Sequence, residues 1–165
     1  MDCLWAPWRM TYINAEPVED CIFCLRDLQE QDSKRLVLYR GEHTLIIMNR
    51  FPYTNGHLMV APFRHSAELD DFNEAEILEM YRLVALARRV LGETSHPDGF
   101  NIGLNLGRAA GAGVTEHLHY HVVPRWSGDT NFMPVFADVR VVPQHLEETY
   151  ALLRKAFRQY ENRPG

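Results

Sequence analysis

Between Glu116 and Pro124 the chain reads Glu-His-Leu-His-Tyr-His-Val-Val-Pro, an alternation of imidazole and apolar side chains. Successive side chains of a β-strand point to opposite faces, so the pattern predicts His117, His119 and His121 on one face and Leu118, Tyr120 and Val122 on the other. Same-face neighbours lie roughly 6.5–7 Å apart, a spacing that spans a phosphate and its leaving group. Such a row has three readings. A bare polar face that picks up metal adventitiously is one. A His-x-His pair that opens a metalloenzyme site, completed by a further imidazole or a carboxylate, is another. Phosphoryl or nucleotidyl transfer is the reading favoured here, because a neutral imidazole attacks phosphorus while a neighbouring one screens the anion and protonates the leaving group.

The remaining sequence bounds what can surround that row. At 165 residues and 46% hydrophobic composition, the chain fits one domain spanning residues 1–165, with an irregular arm over 1–20 and an extension over 133–165. A net charge of −5 gives no broad basic surface for a nucleic-acid polymer but leaves room for a small nucleotide. There is no apolar run of the roughly 18 residues that would span a bilayer and no signal-peptide core, so a cytoplasmic protein is expected. In the arm, Trp5, Trp8, Met10, Tyr12 and Ile13 surround Pro7 without a helical or strand period, as for side chains that cover core, a dimer surface or a pocket rim.

Short β-rich runs at Leu36–Arg40 and Thr44–Asn49 flank Gly41-Glu42-His43, a hairpin pattern. After the turn signal Pro52-Tyr-Thr-Asn-Gly56, a third strand is expected over His57–Phe63, and a fourth over Phe100–Leu106. An antiparallel meander is the simplest order. Asn73 and Glu76 form a capping box with Phe72 packing toward Ile77, and a helical stripe follows through Ile77, Met80, Tyr81, Val84 and Leu91, widened by Leu83, Leu86 and Val90. Arg82, Arg88 and Arg89 make its solvated face. A short strand over Ala137–Val142 and a helix opened by Pro143, with inner residues Leu146, Tyr150, Leu153 and Phe157, complete the chain.

Two further clusters carry chemistry. Cys21-Ile-Phe-Cys24 has the spacing of two thiolates on one tetrahedral zinc, and with no second Cys pair the missing ligands would be histidines; two metal-free thiols are the alternative. Gly107-Arg-Ala-Ala-Gly-Ala-Gly113 leads into the histidine run. Its glycines suit an anion-binding nest around Gly111 and Gly113, with Asn105 adding a side-chain amide. A strand rather than a helix follows, so this is neither a P-loop nor a dinucleotide fingerprint.

The run His117-Leu-His119-Tyr-His121-Val-Val resembles the signature of the histidine triad superfamily of nucleotide hydrolases and transferases. The stretches Leu4–Ile13, Asn49–Pro62, Gly99–Gly107 and Pro124–Phe132 extend the likeness over most of the chain, toward the bacterial diadenosine tetraphosphate phosphorylase branch and the fragile histidine triad-like hydrolases. The resemblance implies an α+β fold, a five-stranded, mainly antiparallel sheet with one long helix and a C-terminal helix, paired in a homodimer.

For the site, the resemblance implies that His119 is the nucleophile and forms a nucleotidyl-histidine. His121 binds phosphate oxygens, His57 supports the triad by hydrogen bonding, and Asn49 holds the ribose. Structural zinc on Cys21, Cys24, His65 and His117 is implied as well, with magnesium at most accompanying the substrate and no catalytic metal required. Trp126, after Pro124-Arg125, is like the phosphorylase branch; Gly113 stands where that branch carries Ser and the hydrolases carry Gln, so the acceptor, phosphate or water, is left open. The expected activity is cleavage of dinucleoside polyphosphates. A purine-nucleoside phosphoramidase, a nucleotide-binding regulatory protein with incidental hydrolysis, and a metalloenzyme using all three histidines are the rivals.

Overall fold

The computed structural model describes residues 21–129 and 146–161. The arm over residues 1–20, the expected strand at Ala137–Val142 and the Pro143 helix start lie outside them. Five strands, β1 (Val37–Arg40), β2 (Thr44–Met48), β3 (Leu58–Pro62), β4 (Gly99–Leu104) and β5 (Tyr120–Arg125), form one antiparallel sheet in the order β1-β2-β3-β5-β4. The first three strands are the expected meander. The last strand then inserts between β3 and β4, which places Met59 opposite His121 on one side and Gly103 opposite it on the other.

The β2 and β3 strands are buried along their whole length, as the apolar runs over residues 45–48 and 58–62 favour, with the polar Thr44 buried at the start of β2. Their side chains divide by the period of two. Ile46, Met48, Leu58 and Val60 face a core completed by the helices, whereas Leu45, Ile47, Met59 and Ala61 pack with Phe23 and Leu25 on the opposite face. Val122 joins the helix-side core, so His121 projects from the Phe23 side of the sheet.

Strand β5 begins later than the alternation suggests. Leu118 donates its N–H to the Ser66 carbonyl at 2.7 Å and packs with Phe72 and Met80, which holds residues 117–119 against the 64–66 segment outside the ladder. His117 and His119 therefore precede the strand and only His121 lies within it, yet the His119 and His121 rings remain neighbours at 4.9 Å.

Among the described residues, three α-helices flank the sheet. Helix α1 (Asp32–Arg35) is a single turn that the sequence analysis does not anticipate, and Asp32 pairs there with Arg40. Helix α2 (Glu74–Ser95) starts at the expected Asn73–Glu76 capping box. Its buried side is Met80, Leu83, Val84, Ala87, Val90 and Leu91. Ile77 and Tyr81, expected inside, are 50% and 72% exposed; the core-facing stripe is centred on Leu83 and Ala87, which turns those two outward. Phe72 correspondingly packs with Met80 and Leu118 while Ile77 stays out. Helix α3 (Leu146–Glu161) buries Leu153 and Phe157 in the same core, and its Tyr150 hydroxyl donates to the Val37 carbonyl at 3.0 Å. No helix of the described residues is long and apolar enough to cross a membrane.

The β1–β2 hairpin is fastened to α2 by one carboxylate. Glu79 accepts the backbone N–H groups of Glu42 at 2.8 Å and His43 at 2.7 Å, and a Cβ at Gly41 would fall 2.6 Å from its carboxylate, so a side chain there would push Glu79 off this contact. Hydrogen bonds to a charged group contribute about 1.5–3 kcal/mol each when buried and less toward solvent. Glu79→Ala is therefore expected to lower the urea midpoint by the equivalent of about 1–3 kcal/mol at unchanged m-value; an unaltered midpoint would mean the hairpin is held by its strands alone.

Candidate active site and metal centre

His117 is the junction of two clusters. Its Nε2 lies 2.8 Å from the Pro62 carbonyl, which can only accept, so Nε2 carries the proton and Nδ1 presents a lone pair. That Nδ1 is 3.2 Å from His65 Nδ1, 3.3 Å from Cys21 Sγ and 3.8 Å from Cys24 Sγ, and Cys24 Sγ is 3.3 Å from His65 Nδ1. All four ligand atoms lie within 4.8 Å of one another. A tetrahedral zinc with bonds of about 2.0–2.3 Å has ligand–ligand edges of about 3.3–3.8 Å. Four of the six separations, at 3.2–3.8 Å, are close to those edges, and the chemistry of two thiolates and two imidazoles, one with its tautomer fixed from behind, fits a zinc ion.

The backbone carbonyl of His117 accepts from His119 Nδ1 at 2.8 Å. The same donor–acceptor logic leaves His119 with a bare Nε2. Its ring is only 4% exposed and packs against Phe23 at 4.8 Å, and burial lowers its pKa, so the lone pair persists at neutral pH. Phe23 is enclosed between Cys21 and Cys24 in sequence and also packs on His117 at 5.2 Å, so the cysteine loop and the His119 ring share a wall.

His121 has the opposite polarity. The Tyr53 N–H donates to His57 Nδ1 at 3.1 Å, so the fully buried His57 carries its proton on Nε2. His57 Nε2–H then donates to His121 Nδ1 at 2.9 Å, which puts the His121 proton on Nε2. Burial, and next the neighbouring His119, push the His121 pKa down to about 4. Asn105 Nδ2, itself a donor, lies 3.5 Å from His121 Nε2, so the two donors stand side by side and make no bond to each other. Beyond them opens a cleft of about 430 Å³ along β4 and β5, lined among others by Tyr53, Asn101, Asn105, His121 and Arg125. Two imidazoles of opposite polarity, one presenting a lone pair and one a hydrogen-bond donor, thus stand side by side.

A HIT domain model matches residues 30–128 of this chain. The chain belongs to the HIT family. The AP-4-A phosphorylase of Mycobacterium tuberculosis is 41% identical to it over 164 residues, covering 91% of this chain and 81% of that protein. A Zn-bound histidine triad family protein from Mycobacterium smegmatis has a TM-score of 0.64 at 32% identity, over 86% of this chain and 96% of that one. A Plasmodium falciparum diadenosine triphosphate hydrolase shares the fold with a TM-score of 0.61 at 23% identity, over 76% and 78% of the two chains.

Within this HIT domain, the structure brings together His57, His119, His121 and Asn105, and separately Cys21, Cys24, His65 and His117. The other residues named from the sequence are placed differently. Gly111 adopts a positive φ of 87° but donates its N–H to the Arg108 carbonyl at 2.9 Å, so its amide closes a 3-10 turn instead of facing a phosphate nest. Gly113 follows in an exposed bend of the same loop. Trp126 lies past β5, its indole N–H 3.4 Å from the Ser95 carbonyl and its backbone N–H on Asp129, and it is not among the cleft-lining residues. Asn49 adjoins His57 through its amide at 3.3 Å. Sequence reasoning missed Tyr53 and Phe23: the first acts through a backbone N–H, which carries no sequence signature, and the second reads as ordinary core.

The tautomers are directly observable. Imidazole 15N spectra near about pH 7 are expected to show His119 protonated on Nδ1 and both His57 and His121 on Nε2. Because its pKa is lowered, His121 contributes stability fully above the usual value of 6.5, and that contribution fades as the pH falls toward about 4, where its second proton binds. A His119 protonated on Nε2, or a His121 titrating at the ordinary imidazole value, would contradict the arrangement.

Proposed function

We propose that this protein cleaves dinucleoside polyphosphates of the diadenosine tetraphosphate type by nucleotidyl transfer through His119. The observations that carry the reading are the 2.8 Å contact of His119 Nδ1 with the His117 carbonyl and the 2.9 Å contact of His57 Nε2 with His121 Nδ1, which together assign a bare Nε2 to His119 and a donating Nε2–H to His121, their rings 4.9 Å apart. The His119 lone pair forms a bond to the α-phosphorus, and the bond from that phosphorus to the bridging oxygen breaks, its electron pair leaving with the departing nucleotide. His121 Nε2–H donates to the phosphoryl oxygen on which charge develops, and Asn105 adds its amide. An acceptor oxygen then attacks the nucleotidyl-histidine, the N–P bond breaks, and the lone pair returns to His119. The likeness to the mycobacterial AP-4-A phosphorylase favours inorganic phosphate as that acceptor, so the products are ADP and ATP. Magnesium, where present, enters with the substrate.

Zinc on Cys21, Cys24, His65 and His117 has a structural part in this reading: it ties the cysteine loop to the backbone that orients His119. Reduced thiolate ligands of this kind suit a cytoplasmic protein. The molecule works as a homodimer, with β4 at the open edge of the sheet and its exposed Ile102 part of the surface a second copy covers.

Incubation with diadenosine tetraphosphate, with and without inorganic phosphate, followed by nucleotide separation, tests the reaction. ADP plus ATP only with phosphate is expected; AMP plus ATP without phosphate would make water the acceptor, and no product in either case would overturn the proposal. His119→Ala should abolish turnover while nucleotide affinity stays within about tenfold, roughly 1.4 kcal/mol.

A further inference from the structure

The pair of imidazoles His57 and His121 cannot by itself decide which way its hydrogen bond runs. Shifting one proton within each ring would preserve the 2.9 Å contact and yet turn His121 Nε2 from donor to acceptor. The direction has to be imposed at the far end, on His57 Nδ1.

Asn49 stands at that end, one residue past β2. Its N–H pairs with the His57 carbonyl at 2.9 Å, which fixes its backbone against the ring's own residue. Its side-chain Oδ1 accepts the Phe51 N–H at 2.9 Å. Since a backbone N–H only donates, the oxygen end of the amide is held there and the NH2 end is turned to His57 Nδ1, 3.3 Å away. The Tyr53 N–H reaches the same nitrogen at 3.1 Å, while the Tyr53 ring stacks on His57 at 4.7 Å and lies 6.0 Å from His121.

We propose that Asn49 is a positioning residue that fixes the tautomer of His57: its amide NH2 and the Tyr53 backbone N–H keep His57 Nδ1 bare, so that His121 always presents a proton to the substrate phosphate. The inference rests on the nucleotidyl transfer proposed above and gives Asn49 a different task from the ribose contact implied by family resemblance. Asn at this position supplies both an acceptor for the turn and a donor for the imidazole. An aspartate would keep the turn and ribose contacts but face His57 with an acceptor.

Asn49→Asp therefore separates the two roles. In 15N spectra of the substrate-free protein, His57 Nδ1 is expected to gain a proton that the native protein lacks. With the Nδ1 proton held by the carboxylate, His121 Nε2 faces the substrate phosphate as an acceptor, so kcat of N49D should fall about tenfold on ribose and 2′-deoxyribose substrates alike. A bare His57 Nδ1 in N49D with native kcat would overturn the assignment. If N49D does not fold, Asn49→Ala decides by the same spectra: a fraction of His57 protonated on Nδ1, with the Tyr53 N–H alone left to oppose it, supports the assignment, and His57 still wholly protonated on Nε2 overturns it. The spectra need no substrate, so a protein inactive on every dinucleotide would sink the proposed reaction without deciding the role of Asn49.

Discussion

The arrangement depends on the way His117 is held at each of its polar side-chain atoms and at its carbonyl. Pro62 accepts the Nε2 proton, Nδ1 joins Cys21, Cys24 and His65, and the backbone carbonyl accepts from His119. The residue is 1% exposed, so these bonds are made where an unsatisfied polar atom would be costly. One residue thereby connects the edge of β3, the cysteine loop and His119, beside the contact that His117 and His119 both make with Phe23.

The second constraint is direction. Burial lowers the pKa values of His119 and His121, so both stay neutral, and a neutral imidazole can be a donor or an acceptor at either nitrogen. The protein settles the choice with groups of fixed polarity: the His117 carbonyl for His119, and the Tyr53 N–H beside the Asn49 amide for His57 and hence His121. The polarity of each ring is thus set largely from the main chain.

Much of this was legible in the sequence because it is local or periodic. The β2 and β3 runs, the Asn73–Glu76 capping box and the Cys21–Cys24 spacing each follow from a few adjacent residues, and resemblance supplied His65 and His119. What was not legible depends on tertiary contact. The late start of β5 comes from Leu118 bonding to Ser66, and the outward turn of Ile77 and Tyr81 comes from which side of a wide apolar stripe the sheet selects. The use of the Gly111 amide inside its own turn, and the direction of the Asn49 amide, required coordinates because sequence specifies a residue type and not the partner it finds.

The central claim is that His119 Nε2 becomes covalently bonded to phosphorus. Mixing the protein with diadenosine tetraphosphate, quenching in alkali within the first turnover, and sequencing the peptides by mass spectrometry tests it most directly. The account predicts an adenylyl group on the peptide containing His119, appearing before free product and decaying when phosphate is added. An adenylyl group on His121 or His57, or full product release with no adduct at any time point, would contradict it.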